Sequence, residues 1–370
     1  MLSPLDDYPI HQVPKPIGLV ATTDHNAYGR YWFGAFERTG RFLVEAAFGR
    51  YPNLGVVDGS VSIAIDGRQI AFHASGASPA DPMDTSVGPM RLTIVEPMRA
   101  LRIDVAENDT GFSAELHWRA RVGALLEDHT VMHSGNLTIV DMARFLQFGS
   151  WSGTVTVDGV TTELADDMVV GARDRSWGIR PVGSQSPRAQ ASNPPSAWLW
   201  APIHFDDECR SLGYFQRPGG EIWRGDGFRL PVVDPIETVT DPTGLERFHP
   251  VGQHLEFVPG TRRIARATFE MSDPAGATRT LEVESLGWFM MKGLGYTNPE
   301  WGHGVWAGER IGREDWVHAD ADPADFTAQH LHHAVRARVD GIEGVGLLEQ
   351  IIFGPHTQFG FHDTLDPAPA

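Results

Sequence analysis

Apolar and polar residues alternate in short runs along the whole chain, broken by Gly, Asp and Pro, while the 3.6-residue spacing of an amphipathic helix is rare. That pattern is the signature of half-buried strands. In the first half it predicts strands over residues 28–37, 41–48, 56–66, 69–74, 91–96, 101–107, 112–121 and 151–157, with one short helix over 141–148. Asp58-Gly59, Asp66-Gly67 and Asp158-Gly159 lie beside or between them, and Asp-Gly favours tight hairpins. The second half predicts strands over 197–205, 211–217, 220–228, 254–258, 263–271, 279–289, 304–311, 333–340 and 345–353. Residues 181–195, rich in Pro, Ser, Gln and Asn, read as a connector, and 232–250 as a second loop. The economical architecture is all-β: one unit over 1–180 and another over 196–370, each with enough strands to close on itself.

Composition narrows the class. The 370 residues carry 30 Lys and Arg against 48 Asp and Glu, a net charge of −18, so no basic surface is expected for nucleic acid or an anionic membrane. Cys209 is the one cysteine, which excludes an intramolecular disulfide framework and a multi-thiolate metal centre. Asp6 and Asp7, with Pro4, Pro9, Pro14 and Pro16, are unlike a signal peptide. No run approaches the roughly 18 apolar residues that cross a bilayer. A cytoplasmic protein with no membrane span is the expectation.

Familiar cofactor signatures are missing. There is no phosphate-binding Walker loop, and Gly149 to Gly153 has Trp151 where a nucleophile elbow needs Ser. The glycines from Gly302 onward imitate a dinucleotide fingerprint, but no βαβ unit surrounds them. No cofactor is expected. Eleven Trp are spread over both halves; they read either as core packing or as the lining of an apolar cavity. Trp198 and Trp200 share one strand face, as do Trp288 and Met290. His330, Leu331, His332 and His333 present two imidazoles on one face, a metal pattern that lacks an identifiable third ligand and otherwise reads as a solvated loop edge; no metal is assigned.

Two dense segments carry the remaining chemistry. In Gly171 to Arg180 an extended chain points Asp174 and Ser176 one way and Arg173, Arg175 and Trp177 the other. Asp174 reads as an acid at the mouth of a cavity, or as part of an Arg/Asp lattice between the two units. Gly293 to Trp306 places four glycines among aromatics, with Tyr296, Glu300 and His303 beside Trp301; the alternative is a packed turn. His204 closes the Trp198 to His204 run as a weaker candidate.

At these segments the sequence resembles the lipocalin-like family that contains carotenoid 1,2-hydratase, the AttH-like proteins and fungal intramolecular Diels-Alderases. The family's Asp-x-x-Trp-Gly motif stands here as Asp174-Arg175-Ser176-Trp177-Gly178, with Arg175 at a position where His is frequent, and a Pro-Glu-Trp-Gly-His-Gly stretch covers 299–304. The resemblance implies two lipocalin-like antiparallel β-barrels packed together. It also implies an apolar small-molecule ligand, isoprenoid, steroid-like or polyketide, and cofactor-independent hydration, isomerisation or cyclisation. The alternative is a non-catalytic carrier of lipophilic ligands. Asp174 and His303 are then the acid/base candidates, with Glu300 and Tyr296 as alternates. Arg175, Trp177, Trp198, Trp200, His204, Trp288 and Trp301 are candidates for substrate contact.

Overall fold

The structure, a computed structural model, describes residues 19–184, 196–233, 236 and 238–368. Its elements are almost all strands. The first run comprises β1 (Ala27–Glu37), β2 (Phe42–Tyr51), β3 (Val56–Ile65), β4 (Arg68–Ala77), β5 (Ser86–Val87), β6 (Met90–Glu96), β7 (Ala100–Val105), β8 (Phe112–Ala120), β9 (Leu125–Leu126), β10 (Thr130–Ser134), β11 (Leu137–Val157), β12 (Val160–Leu164) and β13 (Val169–Ile179). The second comprises β14 (Ser196–His204), β15 (Glu208–Gln216), β16 (Ile222–Pro231), β17 (Glu246–Phe257), β18 (Ile264–Ser272), β19 (Thr278–Met290), β20 (Arg310–Val317), β21 (His330–Val339) and β22 (Ile342–Phe353).

The strands form two antiparallel sheets. One runs β20-β4-β3-β2-β1-β13-β11-β8-β7-β6-β5, with β9, β10 and β12 paired to β11. The other closes as a barrel, β14-β15-β16-β17-β18-β19-β21-β22, with β14 paired to β22. The expected all-β, lipocalin-like architecture is borne out. Of the connector, residues 185–195 lie outside the described residues.

Burial explains which strands alternate. On β8 every second residue of Phe112 to Ala120 is buried, because one face meets the core and the other meets water. On β1 and β2 all residues are buried, since these strands are covered on both sides. One side of β1 sends Tyr31, Phe33 and Ala35 into the core of the first sheet. Its other side sends Trp32 and Phe36 into a second layer, where they meet Trp200, Phe228, Phe289 and Leu347 of the barrel. The barrel interior is packed separately by residues such as Leu199, Tyr214, Phe269 and Leu348. Side chains pack the core of the first sheet and the interior of the barrel, and a cavity lies between the two sheets.

Three expectations fail locally. Residues 141–148 are strand, paired with β13 from Asp141↔Ile179 to Phe148↔Ala172. Met, Ala, Arg, Leu and Gln favour helix intrinsically, but pairing along both edges, with β13 on one side and β9 and β10 on the other, and the burial of Phe145 to Phe148 override propensity. The strand expected over 304–311 begins instead at Arg310, after the left-handed Gly304 (φ 72°) and Gly308 (φ 91°), and it pairs with β4 of the first sheet. Residues 330–333 are buried on β21, so they are not a solvated loop edge.

Candidate active site

A cavity of about 430 Å³ opens between the outer faces of the two sheets. From the first sheet come Trp32 on β1, Met142 and Arg144 on β11, and Asp174 and Ser176 on β13; Glu127 lies before β10. From the barrel side come Trp198 and Trp200 on β14, Phe215 on β15, His330 and His332 on β21, and Glu349 on β22. Tyr296 and Met291 cap it from the segment after β19. The pleat selects these residues. On β14, Leu199 points into the barrel while Trp198 and Trp200 point out toward the cavity.

Asp174 and its neighbours behave as an extended segment requires. Asp174 and Ser176 face the cavity. Arg173 turns inward, giving Nε–H to Gln147 Oε1 at 2.9 Å. Arg175 lies 4.4 Å over the Tyr31 ring and donates to the Ser176 carbonyl at 2.6 Å. Burial pushes the Asp174 carboxyl above its ordinary value, against the pull of Arg144, Arg30 and Arg180. Glu127 is pushed up to about 7 by burial, although Arg144 pairs with it at 2.6 Å. The same guanidinium lies 5.5 Å over Trp200 and 6.0 Å over Trp198.

A chain of carboxylates and imidazoles runs from the first sheet to the barrel beside the cavity. Glu45, on β2, accepts Trp32 Nε1–H at 2.9 Å and faces His332 Nδ1 at 2.8 and 3.0 Å. Glu349 accepts Trp198 Nε1–H at 2.8 Å and pairs with His330 Nε2 at 2.6 Å. His332 Nε2 stands 3.5 Å from Glu349, too far for a good hydrogen bond. Burial opposes charge on His332, but the Glu45 and Glu349 carboxylates outweigh it and hold its pKa up at about 10. Burial holds His330 below its ordinary value despite Glu349. Burial also acts against the Glu349 charge, yet His330 and His332 hold its carboxyl well below the usual range. His330 Nε2, His332 Nε2 and a Glu349 oxygen are close enough together to be compatible with a metal ion.

The other sequence candidates are distributed around this site. Tyr296 borders the cavity, its hydroxyl accepting from Arg30 and its ring edge-on to His330 at 4.6 Å. His303 touches the other side of that ring, with Nε2 bound to the Leu294 carbonyl at 2.8 Å, and burial depresses its pKa strongly. Glu300 is exposed and paired with Arg310. Trp301 stacks on His73 at 5.3 Å against the first sheet. Trp177 packs on Phe145. Trp288 stacks on His318 and borders a separate, open groove. His204 is a buried joint between the sheets, bound to the Gly171 carbonyl at 2.9 Å and edge-on to Phe36 and Phe148; burial lowers its pKa to about 3. None of these last six borders the cavity.

Glu45, Glu127, Arg144, Glu349 and Trp32 were not singled out from sequence. One signal was available: Glu45 is the only acid in the ten-residue β2, and Glu349 lies in the apolar stretch from Leu347 to Phe353 of β22, where Gln350 is the only other polar residue.

The family profile of DUF8625, a family of unknown function, spans residues 2–362. The chain belongs to DUF8625. No curated protein matches its sequence. Among solved structures it is similar to kievitone hydratase from Nectria haematococca, at 12% identity and a TM-score of 0.53, covering 90% of this chain and 93% of that one. It is also similar to a putative AttH from Nitrosomonas europaea, at 13% identity and a TM-score of 0.51, covering 90% and 94%. These likenesses bear out, at the level of the fold, the resemblance carried by the Asp174 and Pro299 motifs. Among the described residues no helix is long and apolar enough to cross a membrane.

Proposed function

We propose that this DUF8625 protein binds an apolar small molecule between its sheets and acts on it by cofactor-independent proton transfer, as a hydratase, isomerase or cyclase. The observation that carries the reading is a half-buried carboxyl, Asp174, pushed toward its neutral form by desolvation on the wall of a cavity lined by Trp32, Trp198 and Trp200. A neutral carboxylic acid can give its proton to a carbon of an alkene. The cation left on the adjacent carbon faces indole planes, an attraction of about 2 kcal/mol when water is excluded. Water adding to that carbon gives an alcohol, loss of a neighbouring proton gives a shifted alkene, and attack by a second alkene of the same molecule, followed by proton loss, closes a ring. In each case the proton released returns to the Asp174 carboxylate, directly or through Glu127, so the acid is regenerated. A protein of similar fold is named a hydratase, which supports the reading, and the transfer of that chemistry to this chain is part of the proposal.

The test has two stages. Native mass spectrometry of protein purified from its own host is expected to show a bound lipophilic molecule. With that molecule or its precursor as substrate, Asp174→Asn is expected to retain binding and to slow turnover by about 10²- to 10⁴-fold. Turnover equal to the native protein removes Asp174 from the chemistry. Binding without turnover in either protein makes the chain a carrier.

A further inference from the structure

His332 is a buried imidazole held between two carboxylates. Its side chain is 2% exposed, and it lies between Glu45, 1% exposed, and Glu349, 11% exposed. Both carboxylates are tied down from behind, Glu45 by Trp32 and Glu349 by Trp198 and His330. An imidazole placed between two fixed carboxylates is held as the doubly protonated cation, since each carboxylate favours the charged form. That cation has two N–H donors. Nδ1–H is used by Glu45, whereas Nε2 is buried with no hydrogen bond made: the acceptor near it, Glu349, stands 3.5 Å away and is already engaged by Trp198 and His330. Leaving a charged donor unsatisfied in the interior is costly, which makes an orphaned one a mark of a missing acceptor. His332 borders the cavity, and Trp32 links it to the candidate acid: Trp32 is the cross-strand neighbour of Asp174, and its ring stands edge-on to His332 at 5.4 Å.

We infer that His332 Nε2–H is the oxygen-binding donor of the cavity, and that the ligand is therefore a lipophilic molecule bearing a carbonyl oxygen rather than a pure hydrocarbon. This rests on the reading that the cavity holds an apolar small molecule. The donor fixes one end of the ligand while Trp32, Trp198 and Trp200 take up its apolar body, which sets the register of the frame against Asp174 on the facing wall. A carbonyl suits the position because it accepts without having to donate, and both carboxylates near Nε2 are already occupied. A hydrocarbon of the same shape leaves Nε2–H unpaired.

Two probes of nearly equal shape separate the possibilities: 2-acetonaphthone, with a carbonyl, and 2-ethylnaphthalene, without one. A hydrogen bond from a charged donor corresponds to roughly a 10- to 100-fold difference in Kd. The native protein is expected to bind the ketone that much more tightly in a tryptophan-quenching titration, and the carbonyl stretch of the bound ketone is expected to move to lower frequency than in hexane. In the double variant Glu45→Gln/His332→Gln, which removes the charge and keeps the volume, the preference is expected to fall below about 3-fold, with 2-ethylnaphthalene binding unchanged. The infrared measurement is made on native protein, so it decides the matter even if the variant does not fold. A native Kd ratio near one, or an unshifted stretch, overturns the inference about His332 and leaves the apolar cavity standing. Failure of both probes to bind removes the cavity reading itself. Stoichiometric zinc binding that displaces the ketone overturns the inference by making His332 Nε2, with His330 and Glu349, a metal ligand.

Discussion

Asp58 offers a direct measurement of how the late glycine loop is held. Its Oδ2 accepts the Gly304 N–H at 2.8 Å and its Oδ1 accepts the Tyr51 hydroxyl at 3.1 Å. Burial raises its pKa from 3.8 to about 6, with the Gly304 hydrogen bond, Arg30, Tyr51 and Arg180 pulling the other way. Between those two values the folded protein keeps a proton that the unfolded chain has lost. The contribution to stability is therefore greatest below about pH 4 and falls as pH rises to about 6. A gap of about 2.2 pH units, at about 1.36 kcal/mol for each, amounts to up to about 3 kcal/mol. Asp58→Asn preserves an acceptor for Gly304 and never ionises. Urea unfolding followed by tryptophan fluorescence is expected to give nearly equal stabilities at about pH 4, and a variant more stable by up to about 3 kcal/mol at about pH 7.5. Other titrating groups are common to both proteins and cancel in the comparison. A difference below about 0.5 kcal/mol at the higher pH, or one of opposite sign, refutes the argument.

Three further perturbations test neighbouring parts of the structure. Gly304→Ala places a Cβ 2.9 Å from Tyr51 Cγ at φ 72°, whereas Gly276→Ala, at φ 87°, meets nothing within 4 Å. Both incur the left-handed cost of about 1–2 kcal/mol, but Gly304→Ala is expected to lower the urea midpoint clearly further. Trp32→Phe removes the donor to Glu45 Oε2 and is expected to cost about 1–3 kcal/mol in the same assay. Arg144→Met leaves Glu127 without its 2.6 Å partner and is expected to cost about 3–5 kcal/mol near pH 8. That deficit is expected to shrink near pH 5, because Glu127, already raised to about 7, is then protonated in the fold; a pH-independent deficit would count against the pairing.

The sheet architecture was legible because solvent-facing strands such as β8 and β18 alternate, and that signal needs only the sequence. It fades where a strand is covered on both sides. Residues 141–148 were read as helix for that reason, and β1 and β2 gave no hint of which face meets the barrel. The alternation of Gly171 to Arg180 placed Asp174 opposite Arg173 and Arg175, as the strand does. Motif density misled in the segment 293–306. Gly304 is fixed by Asp58 and Trp301 by His73, both of the first sheet, while His303 binds the Leu294 carbonyl within the loop, so these residues hold a loop in place, and Tyr296 alone among the segment's candidates reaches the cavity. The Glu45–His332 pair escaped notice because its members are 287 residues apart and meet only when the sheets dock.

That separation has a consequence for how the site is built. Each half of the polar chain is incomplete within its own sheet: Glu45 and Trp32 belong to the first, His332, His330, Glu349 and Trp198 to the barrel. The contacts that hold the faces together are themselves specific, with Gln69 exchanging hydrogen bonds with both backbone groups of Met290 at 2.7 and 2.8 Å, and His204 reaching the Gly171 carbonyl. A buried amide or imidazole satisfied across an interface tolerates little sliding, because a displacement of an ångström leaves it unpaired in a dry environment. The same register that satisfies Gln69 and His204 therefore brings Glu45 to His332 and sets Asp174 across from the Trp198 face. Chemistry located inside the barrel would survive a shift of one sheet against the other; on the proposed reading, chemistry located between the sheets makes docking geometry and catalytic geometry a single variable.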